Sequence, residues 1–172
     1  MTTTETTESE QHPMPVAEKE HLWLKQLVGE WTFEGAASMG PDKPEATFTG
    51  RENVRMLGDV WLLAEGEGEV PGGGVSRSLM TLGYDPQKQR FVGTYLGSMM
   101  TNLWVYEGSL DATEKVLTLE TEGPGMSEDR KYVRYRDTIE IESDDRRSLS
   151  SQFEAADGTW TPLMKMTYSR MT

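Results

Sequence analysis

Two carboxylates lie at strand positions whose neighbours of the same parity are apolar. Asp137 has the same strand parity as Tyr135 and Ile139, and Glu52 has the same strand parity as Val54. Side chains of one parity share one face of a strand, so both carboxylates are predicted on faces that point into a core. A buried carboxylate can anchor a ligand, act as a general acid or base, or form a structural ion pair. We favour the ion pair, or a strand end that reaches solvent, and keep the other roles open.

The arginines nearest to these carboxylates in sequence are candidate ion-pair partners. Simple parity places them on the outer face, and only a β-bulge would turn them inward. They are Arg51 and Arg55 near Glu52, and Arg134 and Arg136 near Asp137.

A second group of residues combines aromatic rings with methionines. Flexible methionines fill irregular space, and tyrosine or tryptophan adds a polar atom to an apolar wall, so the group suits an amphipathic ligand cavity. Packing in an ordinary barrel core is the alternative, and it is favoured for any single member. The predicted ligand-pocket residues are Tyr95, Met99, Met100, Trp104, Tyr106, Tyr135, Asp137 and Met164, and Met166 belongs to the same aromatic and methionine group.

Met99 and Met100 fall between two predicted strands, where an apolar connection exposed to water is unexpected. This connection is predicted either to fold over a barrel mouth or to contact a second subunit. The second alternative would make the protein a homodimer.

The residue inventory excludes several kinds of chemistry. The chain has no cysteine, which removes disulfides, thiolate nucleophiles and cysteine-ligated metals. Its two histidines are His12, near the N-terminus, and His21, on a predicted helix. His21 with Glu20 and Glu30 could form a weak metal or acid/base cluster, although a capping or surface role is favoured. We predict no metal site and no cofactor, and no catalytic residue can be assigned.

The charge balance bears on partners. The chain has 29 acidic and 17 basic side chains and a formal net charge of −12. This argues against nucleic acid and anionic membranes, which require clustered lysine and arginine. The N-terminus lacks the basic and apolar regions of a secretory signal, and no apolar run has the length of a membrane helix. We expect a soluble, cytoplasmic protein whose partner is a small molecule.

The elements that must position these residues are mostly strands. Residues 1–16 are rich in threonine and glutamate and are predicted to form a disordered leader, with residues 17–172 as a single domain. Ala17–Val28 is predicted to be a short amphipathic helix, followed by Gly29 at the C′ position. From Trp31 onward, apolar residues alternate with polar ones between turn signals, which predicts about ten strands.

Short connections make neighbouring strands antiparallel. We therefore predict an all-β fold: an antiparallel up-and-down β-barrel of about ten strands, with Trp31 on its floor and the helix closing that end. A β-sandwich is the rival architecture, but the meander-like spacing favours a barrel. A barrel of eight or more strands has room for a small ligand.

An ordered set of short motifs resembles a known family. The segments Leu27-Val28-Gly29-Glu30-Trp31, Leu82-Gly83-Tyr84-Asp85-Pro86 and Phe91-Val92-Gly93-Thr94-Tyr95 carry much of the resemblance, with Tyr135-Arg136-Asp137 further on. The first segment resembles the Gly-x-Trp entry to the first strand of lipocalins and other calycins. The full set resembles the bacterial domain of unknown function 1579 family. The resemblance implies a lipocalin-like barrel and supplies no substrate or catalytic residue.

The nitrobindin-like haem barrels are similar in plan and in their Gly-x-Trp entry. They bind haem iron through a histidine of the strand region, and this chain has no histidine after His21. Tyrosine or methionine can ligate iron in other proteins, but we do not expect haem here.

Three functions remain open. The leading hypothesis is a barrel that binds a small amphipathic or apolar molecule in its lumen. The second is an enzyme that uses a cavity carboxylate, Asp137 or Glu52. The third is a fully packed structural or interaction barrel without a ligand. An open lumen would favour the first over the third, and an Asp137 without an arginine partner would favour the second.

Overall fold

The computed structural model describes residues 12–70 and 72–172. Most of the predicted leader lies outside these residues, and residues 12–18 have neither helix nor strand. The elements are α1 (Lys19–Lys25), β1 (Gly29–Ala37), β2 (Ala46–Leu57), β3 (Trp61–Glu69), β4 (Val75–Asp85), β5 (Arg90–Gly97), β6 (Trp104–Leu110), β7 (Val116–Pro124), β8 (Tyr132–Ser143), β9 (Arg146–Glu154) and β10 (Trp160–Arg170). No helix of the described ranges is long and apolar enough to cross a membrane.

The ten strands form one closed antiparallel barrel. Each strand pairs with its neighbours in sequence, and β1 pairs with β10 to complete the ring. The closing register runs from Trp31 opposite Arg170 to Ala37 opposite Met164. Closure satisfies the backbone groups that an open sheet would leave unpaired at its edges. The predicted ten-stranded up-and-down barrel is confirmed, and the β-sandwich alternative is wrong.

One end of the barrel is filled by large side chains. Trp31 is fully buried there and donates a hydrogen bond from Nε1 to the carbonyl of Leu27, at 2.9 Å. Trp23 of α1 packs edge-on against Phe91 and donates to the carbonyl of Glu114, at 2.6 Å. These bonds fasten the seven-residue helix, which is too short to be stable alone, across this end. The predicted roles of Trp31 and of the helix are confirmed.

The helix is shorter than predicted, and Gly29 has a different role. Gln26 caps α1, so Gly29 is not at C′ but is the first residue of β1, with φ of +138°. A Cβ at this position would collide with the guanidinium of Arg170, whose Cζ lies 4.2 Å from the Trp31 ring centroid. Gly29 is required because the backbone is left-handed and an arginine passes directly over it.

Candidate ligand-binding site

The barrel interior holds a cavity of about 380 Å³ that opens at the end opposite α1. We call it the lumen cavity. Its mouth includes Val70 and the β5–β6 connection at residues 98–100. Below it lies the packed layer that contains Leu62, Leu82 and Leu119. Small-molecule pockets measure about 300–1,000 Å³, so the lumen cavity has a suitable size.

Inner-face glycines create much of this space. The lining includes Gly66, Gly68 and Gly97, which add no side-chain volume. The ring of Phe33 lies against Gly50 and Gly68, where a Cβ would meet it. The same ten strands enclose both ends of the barrel. Bulky side chains fill the interior near α1, whereas glycines leave the interior open near the mouth.

All eight sequence-predicted pocket residues lie on the wall of the lumen cavity. They are Tyr95, Met99, Met100, Trp104, Tyr106, Tyr135, Asp137 and Met164, and Met166 joins them. A register shift between Pro162 and Met164 puts Met164 opposite Ser151, on the inner face. That these residues bind a ligand stays a prediction.

The aromatic wall is held by contacts of its own. Trp104 packs edge-to-face against Tyr135 with 4.8 Å between ring centroids, and covers Gly123. Trp104 Nε1 donates to the sulfur of Met100 at 2.9 Å, and the Tyr135 hydroxyl donates to the carbonyl of Pro124 at 2.5 Å. The indole N–H of Trp104 and the hydroxyl of Tyr135 are therefore both satisfied by groups of the protein.

Met99 and Met100 sit at the mouth, where both are exposed to solvent and also line the lumen cavity. This position corresponds to the first of their two predicted roles. A contact with a second subunit stays a prediction.

Glu52 forms a buried ion pair with Arg147 of β9. The exposed fractions of the two side chains are 12% and 5%. The guanidinium also stacks on aromatic rings, with Cζ 3.8 Å from the Tyr168 centroid and 4.7 Å from that of Trp31. Burial, followed by the nearby Glu52 carboxylate, raises the pKa of Tyr168 well above its usual value. The predicted ion pair is confirmed for Glu52.

The partners predicted for Glu52 are wrong. Arg55 faces outward and pairs with Glu65, and Arg51 also lies on the outer face. Parity in a regular strand keeps them there, whereas Arg147 reaches Glu52 across the closed barrel.

Among residues 12–70 and 72–172, Asp137 has no cationic partner. Its Oδ2 accepts a hydrogen bond from the Tyr106 hydroxyl at 2.5 Å, and its Oδ1 accepts one from the Ser151 hydroxyl. The predicted partners Arg134 and Arg136 point outward, where both pair with Glu120. Burial raises the pKa of Asp137, and the two hydroxyl hydrogen bonds offset this rise only in part. The ion-pair interpretation is therefore wrong for Asp137.

Asp137 and the hydroxyl groups of Tyr106, Ser151 and Thr121 form a polar patch on the inner wall. Burial and the adjacent Asp137 raise the pKa of Tyr106 well above its usual value, which keeps its phenol protonated. Thr121 is buried on the same wall, and its Oγ1 has no hydrogen-bond partner within the described part of the chain. Thr121 and Ser151 are not among the residues predicted from the sequence, although Thr121 shares strand parity with the apolar Leu117 and Leu119, which marks it as inward-facing.

His21 has the capping role. Its Nδ1 accepts a hydrogen bond from the backbone N–H of Glu18 at 2.9 Å, and its Nε2 lies 3.1 Å from the carbonyl of Tyr84. A proton on Nε2 satisfies both contacts, which defines a neutral tautomer. Within residues 12–70 and 72–172, no group of three or more histidine, aspartate or glutamate side chains is placed to hold a metal ion.

The barrel is similar to several solved structures. Rv2717c from M. tuberculosis has 17% identity and a TM-score of 0.62, and the match covers 90% of this chain and 99% of that one. The redesigned barrel mFAP0 bound to DFHBI has 12% identity and a TM-score of 0.48, over 84% of this chain and 99% of that one. The first likeness concerns the fold alone, and the second supports no further comparison. No curated protein matches the chain.

A protein-family model matches most of the chain. The model described as "Protein of unknown function (DUF1579)" matches residues 16–170, which include α1 and all ten strands. The chain therefore belongs to the DUF1579 family.

Proposed function

We propose that this protein binds a small, largely apolar molecule in the lumen cavity. The observation that carries the proposal is the open volume of about 380 Å³ above a packed floor. Protein interiors are normally packed to the density of organic crystals, so a void of this size on an apolar wall favours an occupant.

The contrast between the two ends of the barrel supports this interpretation. Large residues such as Trp31 and Phe91 fill the end near α1, so ten strands of this geometry can be closed by side chains. Glycines replace such side chains near the mouth, where Phe33 and Tyr95 leave space between them. A barrel with only a structural role has no need of this widening.

Acid/base catalysis at Asp137 is a second candidate function. Asp137 faces the lumen cavity, and no cationic group of the described residues pairs with it. Burial raises its pKa toward the range useful to a general acid or base. Glu52 is less suited to this role because Arg147 holds it as an ion pair. An enzyme of this kind would convert a lumen-bound compound, and the Asp137→Asn variant would bind the same compound without converting it.

A fluorescent probe tests lumen binding. N-phenyl-1-naphthylamine is neutral and becomes bright in apolar surroundings, so its emission should rise on titration with the protein. Gly97→Phe should abolish the rise by filling the mouth. A Cβ at Gly97 meets no atom closer than 3.7 Å, so the backbone accepts this change. Leu96→Phe is the matched control, because Leu96 is exposed on the outer face of the same strand.

Equal probe binding by the Gly97→Phe and Leu96→Phe proteins would place the probe outside the lumen and contradict the proposal. Native mass spectrometry of protein purified without added ligand supplies an independent measurement. A retained small molecule that is lost from Gly97→Phe, and kept by Leu96→Phe, would support binding and give the mass of the natural ligand.

A further inference from the structure

We propose that the lumen cavity selects an amphipathic organic cation whose ammonium group binds between Asp137 and Thr121. This inference rests on the proposed lumen binding and adds the chemical class of the ligand.

The charges of the wall are unbalanced. Two carboxylates of its lining, Glu52 and Asp137, lie on the inner face of the barrel. Glu67, Glu69 and Arg77 also border the lumen cavity, but their side chains point outward, and Glu67 pairs with Arg77 there, at 3.1 Å. Glu52 pairs with Arg147 inside the barrel, whereas Asp137 has no ion-pair partner in the described part of the chain. A ligand with one positive charge complements the unpaired carboxylate of Asp137, whereas an anion would be repelled by it.

The polar patch offers acceptors at a suitable spacing. Asp137 lies opposite Leu119 and Tyr135 lies opposite Thr121, so Asp137 and Thr121 are diagonal neighbours on two paired strands. Such diagonal residues are about 7–8 Å apart at Cα. One ammonium group with two N–H···O bonds can bridge side chains at that separation.

Thr121 supplies an observation independent of the carboxylate. It is 8% exposed and lines the lumen cavity, and its hydroxyl oxygen has no hydrogen-bond partner among the residues that the structure describes. A buried hydroxyl without a hydrogen bond is costly, and a ligand N–H would satisfy it.

The surrounding rings also suit a cation. Tyr95, Trp104, Tyr106 and Tyr135 all contribute to the wall. Aromatic faces attract a partly desolvated ammonium group, and their apolar carbon accommodates the hydrocarbon part of an amphipathic ligand.

The proposal predicts a pH dependence of binding. Asp137 is faced by Tyr106 from β6, Tyr95 from β5 and Ser151 from β9, with the Glu52–Arg147 pair and Tyr168 further across the lumen. The tyrosines have raised pKa values and stay neutral as the pH falls. Because burial raises the pKa of Asp137, protonation should weaken ammonium binding as the pH falls through that raised value.

Three probes with one hydrocarbon body test the charge preference: 4-phenylbutylamine, 4-phenylbutan-1-ol and 4-phenylbutanoate. Isothermal titration calorimetry near pH 7.5 and in about 0.15 M salt limits the influence of the overall negative charge. The amine should bind more tightly than the alcohol by on the order of tenfold, as expected for a charge-assisted hydrogen bond, and the carboxylate should bind most weakly.

Matched variants assign the effect to the polar patch. Asp137→Asn keeps the shape and should remove the amine's advantage over the alcohol while leaving alcohol binding nearly unchanged. Thr121→Val should weaken the amine severalfold. Thr118→Val, on the outer face of the same strand, should change neither probe.

An alcohol that binds as tightly as the amine, or an amine preference that survives Asp137→Asn, would overturn the proposal while leaving lumen binding intact. Failure of all three probes would also overturn it if N-phenyl-1-naphthylamine still bound. If N-phenyl-1-naphthylamine failed as well, the proposed function itself would be contradicted.

Discussion

Replacement of Trp31 by alanine tests the account of the packed floor. Trp31 is 1% exposed, donates to the Leu27 carbonyl and stacks against the guanidinium groups of Arg147 and Arg170. Truncating a buried tryptophan to alanine costs about 3–5 kcal/mol through lost transfer free energy and the cavity left behind. For a chain of this length, that loss should lower the Tm by roughly 6–20 °C.

Urea unfolding followed by circular dichroism measures this loss, and Trp61→Ala is its matched control. Trp61 is 42% exposed on the outer face and packs over Gly83, so its truncation should cost about 1 kcal/mol. Both variants lose one indole, which cancels intrinsic differences between tryptophan and alanine in the unfolded chain. A Trp31→Ala loss no larger than that of Trp61→Ala would refute the role of Trp31 as the floor of the barrel.

Two further predictions concern the charged groups of the interior. Glu52→Gln leaves the buried guanidinium of Arg147 without its counter-charge and should cost about 3–5 kcal/mol in urea unfolding; a loss below about 1 kcal/mol would contradict the importance of the pair. Asp137→Asn should alter the pH dependence of stability. Because burial raises the pKa of Asp137 in the folded state, its stabilising contribution is present at acid pH and lost as the pH rises through the raised value. The Tm of Asp137→Asn should therefore gain on wild type as the pH rises above the ordinary aspartate pKa of about 4, and a constant difference would contradict the raised pKa.

Most of the fold could be predicted from the sequence because the patterns that determine it lie within single strands and turns. Period-two alternation assigned Asp137 and Glu52 to the inner face, and the structure confirms both. Short turns made neighbouring strands antiparallel, and the number of strands favoured closure. The prediction of Gly29 as the C′ residue of the helix was wrong. A glycine is needed there because the side chain of Arg170, a residue at the opposite end of the chain, passes over it.

The polar contacts of the site were harder to predict because they cross the barrel. Glu52 on β2 meets Arg147 on β9, and no pattern within either strand indicates that pair. Arg146 and Arg147 point to opposite faces of β9. The register shift near Ser143, just before them, prevents the sequence from indicating which of the two faces inward. The inward position of Thr121 could have been predicted, since it shares strand parity with Leu117 and Leu119.

The central claim is that a ligand occupies the lumen, and methionine methyl NMR tests it most directly. Protein with 13C-labelled methionine methyl groups would be titrated with N-phenyl-1-naphthylamine, the probe of lumen binding itself. Met80, Met164 and Met166 line the lumen cavity, whereas Met14 and Met171 are exposed away from it. The account predicts saturable shifts of the three lumen signals and none for Met14 and Met171. Shifts confined to Met14 and Met171, or an unchanged spectrum, would contradict it.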